Sequence, residues 1–239
     1  MGVGQFCTEP GVVIKIAGEG SKELETKVSE LINAKPAGIM LSARTKSDFI
    51  ASVEKLCLIK GMSVLAGGEA VEHDTQSKPV VLQISAADFL KDPQACQHEA
   101  FGHSTVFVTA ADMAEVFAVA TALTGNLTAT RMGTDSDLSS ANGMKLRRIL
   151  ETKAGRIITN GMPTGVAVVE AMCHGGPFPA CTIDSSSVGG STRFLRTVAF
   201  QNESDSLLPG NLQRGNPGRR MRIVNGQYTN SMIPKPVTK

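Results

Sequence analysis

The chain has 239 residues, 41% of them hydrophobic and 19% charged, enough for one large domain or two small ones around a buried core. Its 24 basic and 22 acidic side chains leave a formal net charge of +2, and it has no Trp and one Tyr, so neither a nucleic-acid nor an anionic-membrane partner is expected. No run approaches the roughly 18–20 apolar residues of a membrane span. Five irregularly spaced cysteines argue against a disulfide framework and for a reducing, cytoplasmic setting. The opening MGVGQFCTEPG has no basic region ahead of an apolar run, so no secretory signal is expected.

In chain order, Val12 to Ile16 is a β-branched run closed by Gly18-Glu19-Gly20. Residues Ser21 to Ala34 put Leu24, Val28, Leu31 and Ile32 on one helical face, and Pro36 ends the pattern. Thr45 and Asp48 fit a capping box ahead of Phe49, Val53, Leu56 and Cys57, with Gly61 as the expected C-cap glycine. Pro79 to Ile84 and Thr105 to Val108 read as strands. Thr109 and Asp112 suggest a second box before Met113, Val116, Phe117 and Ala120. Leu127 to Thr130 reads as a strand, Leu138 to Lys153 as one helix stopped by Gly155, and Arg156 to Thr159 as a strand. Strands alternating with helices predict an α/β fold with a mainly parallel sheet flanked by helices.

From Gly161 onward Gly, Pro and Ser become frequent, and periodicity is weak outside Arg193 to Phe200. The expected division is a domain over residues 1–200 followed by a loop-rich C-terminal arm and tail over 201–239. Val224-Asn225-Gly226-Gln227 is a two-residue hairpin signal in that arm. Ile233 to Lys239 reads as a frayed tail.

Cys7 is the leading candidate for chemistry. A nucleophilic cysteine needs an exposed turn, backbone N–H groups near sulfur and a neighbour favouring thiolate, and Gly4-Gln5-Phe6-Cys7-Thr8 before Pro10-Gly11 is compatible with these. The residues alone favour a small hydrophobe close to a flexible terminus over a nucleophile. Cys173, His174 and Cys181 do not have a zinc spacing, so no metal is expected. His73 and His98 read as solvated, and Cys57 and Cys96 lack a motif partner. Arg214, Arg219, Arg220 and Arg222 read as a solvated or carboxylate-pairing face. Gly189-Gly190-Ser191 reads as a plain loop, with an anion cradle as the sharper alternative.

The segment GQFCTEPGVV resembles the active-site cysteine segment of the aldehyde dehydrogenase superfamily, whose pattern is Gly-Gln-x-Cys. Downstream, Glu99-Ala100-Phe101-Gly102-His103 resembles the family's Glu-x-Phe-Gly-Pro motif, with His103 where many relatives have Pro. LTATRMGTDSD, RRILETKAGRIITNGMPTGV, AMCHGGPFPACT and SSVGGSTRFLRTVAFQN follow in order and are similar to the subgroup that acts on α-ketoglutaric semialdehyde, related to fatty aldehyde dehydrogenases. Here His174-Gly175-Gly176-Pro177 replaces the wider superfamily's Pro-x-Gly-Gly-x-Lys-x-Ser-Gly loop, as fits that subgroup.

The resemblance implies the catalytic-domain fold and a cysteine-dependent oxidation of an aldehyde with NAD or NADP. Cys7 would attack the aldehyde, Glu99 would hydrogen-bond the nicotinamide ribose, and Phe101 would pack beside it. A small-molecule aldehyde and a homo-oligomer are the implied partners, without nucleic acid or membrane. In the family, the dinucleotide-binding domain, a general-base glutamate and an oxyanion-hole asparagine precede the cysteine. None of these is found in the 239 residues, so the chain is expected to be the C-terminal catalytic half. Loss of the base alone would cost about 10²–10⁴-fold in thioester hydrolysis, and negligible dehydrogenase activity is expected of the chain by itself. The rival readings are an inert fragment retaining fold and oligomer contacts, a long-chain aldehyde as substrate, and a self-standing thiol hydrolase.

Overall fold

The computed structural model describes residues 2–163, 165–182 and 196–234. The chain divides into two compact units, 1–190 and 191–239. In the first, the elements run β1 (Val12–Ile16), α1 (Glu19–Asn33), β2 (Gly38–Ile39), α2 (Ala43–Cys57), β3 (Ser63–Gly67), β4 (Gln76–Ser77), β5 (Val80–Ser85), α3 (Ala86–Phe89) and α4 (Pro93–Cys96). They continue with β6 (Ser104–Ala110), α5 (Met113–Ala122), β7 (Asn126–Arg131), α6 (Asp135–Ser139), α7 (Ala141–Glu151) and β8 (Ala154–Thr159).

The main sheet has the order β1-β6-β5-β3, with β1, β6 and β5 parallel and β3 antiparallel at one edge. The fold is therefore α/β, with a mainly parallel sheet flanked by helices. The two inner strands carry the apolar runs: Val80, Val81, Leu82 and Ile84 of β5 and Val106, Phe107 and Val108 of β6 are buried. Continuous burial of this kind marks strands covered on both faces. On one face Leu82, Ile84, Val106 and Val108 pack with Phe49 and Leu56 of α2, Phe89 of α3 and Val116 and Val119 of α5. Ile14 joins this core, so its neighbour Lys15 points to the other face, where α1 lies. The Lys15 ammonium donates to Glu25 of α1 (2.5 Å), Ser21 (2.9 Å) and Thr109 Oγ1 of β6 (2.6 Å). All three of its donors are used, which pins α1 to the sheet.

Several expected boundaries move for identifiable reasons. The cap of α2 is Ser42, whose hydroxyl accepts the Thr45 N–H at 3.1 Å, so the helix begins ahead of the expected Thr45–Asp48 box. The box at α5 is displaced by three residues: Asp112 accepts the Glu115 N–H and Glu115 accepts the Ala111 N–H, while Thr109 stays in β6 on Lys15. The single helix expected over Leu138 to Lys153 is two, because Ser140 caps α7 by accepting the Gly143 N–H. Thr134 and Asp137 form the reciprocal box that starts α6. Gly155 lies inside β8 rather than stopping the helix; a Cβ there would strike the Gly175 carbonyl. The face of α1 expected to be core has no fully buried residue, and Leu31 is 53% exposed. The sequence reading missed β3, a short Gly-flanked strand with an irregular register between Val64 and Ala66.

β7 and β8 form a separate parallel pair. Residues 173–178 cross its start so closely that Gly125, Gly155 and Gly176 each face backbone where a Cβ would be.

In the second unit, β9 (Arg222–Val224) and β10 (Gln227–Thr229) pair antiparallel, with Val224 opposite Gln227 as the hairpin signal predicts. Asn225 (φ 50°) and Gly226 (φ 80°) supply the two left-handed residues of the turn. Among the described residues Arg222 pairs with no carboxylate; its guanidinium donates to the carbonyls of Gln213, Arg214 and Ser231. Asn216 is buried and bonds to Arg220 and Asn230 backbone.

Candidate active site

Parallel strands share one edge at their N-terminal ends, and the segments leading into β1, β5 and β6 therefore meet there. The Gly11 carbonyl accepts the Val106 N–H at 2.9 Å, Thr105 Oγ1 donates to the Pro10 carbonyl at 2.8 Å, and the Val80 N–H donates to the His103 carbonyl at 3.0 Å. Residues 2–11, 77–79 and 99–103 are thus tied to one another at that edge.

Cys7 sits on a turn and is exposed, while Thr8 beside it is buried at 5%. The turn is held from several sides. Gln5, the glutamine of the Gly-Gln-x-Cys pattern, accepts the Leu41 N–H at 2.9 Å and donates to the Gly2 carbonyl at 2.8 Å. Val3 has φ 56° and ψ 41°, a left-handed conformation that a β-branched residue adopts only under constraint, and its methyls press against Gly38. Gly4 (φ 69°) has no room for a Cβ, which would collide with the Gly102 backbone and the Glu9 carboxylate.

The facing loop, residues 99–103, has its own fixings. Ser104 Oγ donates to the Ala100 carbonyl (3.0 Å) and the Ser104 N–H to the Gly102 carbonyl (2.9 Å). Gly102 packs on the Phe49 ring, into which a Cβ would intrude. His103, at the position where the resembling pattern has proline, pairs through Nε2 with Ser77 Oγ at 2.8 Å and lies 5.4 Å from the Phe49 ring. Burial lowers its pKa to about 4, so the imidazole is neutral. Glu99 and Phe101, the latter 45% exposed, remain open to solvent on the same loop.

The structure therefore brings together the Cys7 turn and the loop of Glu99 and Phe101 at a seam where Gly4 abuts Gly102. Glu9 completes the seam. It is half-buried, and that desolvation pushes its carboxyl up to about 8, the amino terminus opposing and Glu99 adding to the rise. Hydropathy places an acid between Thr8 and Pro10 in solvent, so only the close approach of the two glycines reveals it.

His174 is exposed, and Gly175 and Gly176 are buried against β7 and β8. Gly189-Gly190-Ser191 lies outside the described residues. Among the described residues no three His, Cys, Asp or Glu side chains are grouped to hold a metal.

No family model matches the chain. In three dimensions it is similar to an aldehyde dehydrogenase from Bacillus cereus (TM-score 0.56, 21% identity, 73% of this chain and 35% of that one). It is also similar to PnpE in complex with nicotinamide adenine dinucleotide (TM-score 0.57, 20% identity, 73% and 36%). The fold is that of the aldehyde dehydrogenases.

Sequence similarity narrows the class. The chain is 40% identical over 230 residues to α-ketoglutaric semialdehyde dehydrogenase 2 of Azospirillum brasilense, covering 95% of this chain and 43% of that protein. It is 39% identical over 233 residues to the α-ketoglutaric semialdehyde dehydrogenase of Acinetobacter baylyi, covering 96% and 44%. The chain thus corresponds in sequence to the C-terminal part of these enzymes and spans less than half their length.

Proposed function

We propose that the chain carries the nucleophile of an NAD(P)-dependent oxidation of α-ketoglutaric semialdehyde to the carboxylic acid, with Cys7 as that nucleophile. The observation behind this reading is the seam itself: an exposed cysteine turn packed against a loop that presents an exposed carboxylate and an exposed aromatic ring. The two relatives' names supply the substrate class, and the nicotinamide dinucleotide bound by PnpE supports the cofactor.

The donor set fits such a cofactor in kind. Glu99 offers an ionisable acceptor for ribose hydroxyls, and Phe101 a flat apolar wall beside a planar ring. The cofactor, when bound, accepts a hydride. The protein's part is to hold and release the carbon that gives it up. Cys7 Sγ adds to the aldehyde carbon as thiolate, and its developing alkoxide oxygen accepts hydrogen bonds from backbone N–H groups of the turn, including that of Cys7. Loss of hydride from the tetrahedral thiohemiacetal leaves a thioester on Cys7. Water then adds to the thioester carbonyl, and the carboxylic acid departs as the thiol is restored. The reaction belongs to residues 1–200 in this reading, with 201–239 as a C-terminal arm and tail, in a cytoplasmic enzyme whose full-length form is a homo-oligomer. Among the described residues no helix is long and apolar enough to cross a membrane.

Substrate protection tests the proposal. α-Ketoglutaric semialdehyde should slow iodoacetamide labelling of Cys7 and leave Cys57 unaffected, because thiohemiacetal formation removes the Cys7 thiolate. Identical labelling of Cys7 with and without the aldehyde would remove the basis for the reading.

A further inference from the structure

We propose that Glu9 is a positioning residue, a proton-dependent latch that sets how tightly the Cys7 turn seats against the loop carrying Glu99. The consequence for catalysis rests on the reading of Cys7 as nucleophile; the latch does not.

The latch follows from where the carboxyl lies. Gly4 approaches Gly102 so closely that a methyl group would meet the Gly102 backbone and Glu9 Oε1 together. Glu9 Oε1 therefore lies beside the junction of the two segments, on a residue that is half-buried. A neutral carboxyl is tolerated at such a junction, whereas an ionised one must either be desolvated or leave. Glu99 on the facing loop carries the same sign and raises the Glu9 pKa further, whereas the amino terminus opposes the rise. His103, the loop's other titratable group, is engaged with Ser77 and Phe49 and stays neutral above about pH 4.

The direction of the effect is fixed by linkage. With the seam closed, the Glu9 pKa is raised from the ordinary 4.5 to about 8, so the closed seam binds the proton more tightly than the open one. Closure is most favourable below pH 4.5, weakens as the pH climbs towards 8, and levels off above that. The weakening cannot exceed about tenfold per pH unit, and partial solvent exposure of the carboxyl makes it smaller. A turn that loosens as pH rises would lose alignment between Cys7 and the Glu99 loop over the range in which a thiol gains its charge.

Hydrogen exchange on the full 239-residue chain at about pH 5, 7 and 8.5, corrected for intrinsic exchange, reads this directly. Peptides covering residues 4–9 and 99–102 should lose several-fold protection across that range, while those from β5 and β6 do not. Glu9→Gln, isosteric and uncharged, should keep the low-pH protection throughout. Glu99→Gln, on an exposed side chain that the fold does not need, should move the loss to lower pH without abolishing it. Equal pH dependence in wild type and Glu9→Gln overturns the latch, as does flat protection in the wild type. Loss of the effect in Glu99→Gln alone would assign the titration to Glu99 and also overturn it. Cys7 labelling measured alongside tests the nucleophile separately: unaffected by aldehyde, it removes the catalytic consequence and leaves the latch standing.

Discussion

Gly4→Ala should damage the candidate site by straining the backbone and crowding the seam at once. Alanine at φ 69° costs about 1–2 kcal/mol relative to right-handed backbone. The new Cβ would also overlap the Gly102 backbone and the Glu9 carboxylate. Backbone cannot swing aside as a side chain can, so the overlap adds about 1–3 kcal/mol, as for an overpacked interior. The total, about 2–5 kcal/mol, has two ways to appear. If the segment before β1 is held by more than that, global stability falls by that amount in urea denaturation. If it is held by less, the segment detaches, global stability falls only by the cost of detachment, and Cys7 and the amides of residues 2–9 lose protection. The holding contacts are the Gln5 bonds to Leu41 and Gly2, the Val3–Gly38 packing and the burial of Thr8. Denaturation and hydrogen exchange measured on the same variant together capture the whole strain. A Gly4→Ala chain unchanged in both would refute the seam.

Other parts of the fold make independent predictions. Lys15→Met should cost about 2–4 kcal/mol because it leaves Glu25 without its partner, and adding Glu25→Leu should recover part of the loss in a double-mutant cycle. Leu82→Ala, at a side chain with 0% exposure, should cost about 2–5 kcal/mol with an unchanged denaturant slope. For His103 the folded pKa is about 4 against an ordinary 6.5, so the native state binds its proton more weakly than the unfolded chain. Its contribution should be intact above pH 6.5 and fall away as the pH drops towards 4, and His103→Gln should flatten that part of the stability profile.

The parallel core was legible because β5 and β6 are apolar runs of β-branched residues, and the hairpin because Asn225-Gly226 admits little else. The cysteine turn and the Glu99 loop were legible through their motifs. What the sequence hid was decided by contacts between distant segments. Ser42 outcompetes the Thr45–Asp48 box as a cap, and Ser140 divides an otherwise continuous helical pattern. The apolar stripe of α1 looks like a core face, yet the helix is tied to the sheet by Lys15 and by the Gly67 N–H donating to Asn33, and it leaves Leu24 and Leu31 in the open. Glu9 gains a structural role only from the approach of residues 99–103, some ninety positions away, and Gln5 only from the Leu41 N–H, thirty-six positions away.

The central claim is that folding makes Cys7 a nucleophile. Its most direct test is the iodoacetamide rate of each cysteine at neutral pH, mapped by mass spectrometry and divided by the rate of the same cysteine in the urea-unfolded chain. That ratio removes intrinsic reactivity, and Cys57, exposed like Cys7 but with a thiol pushed up by burial and then by Glu54, is the internal control. The expected ratio is well above one for Cys7 and below one for Cys57. A Cys7 ratio at or below one would contradict the claim.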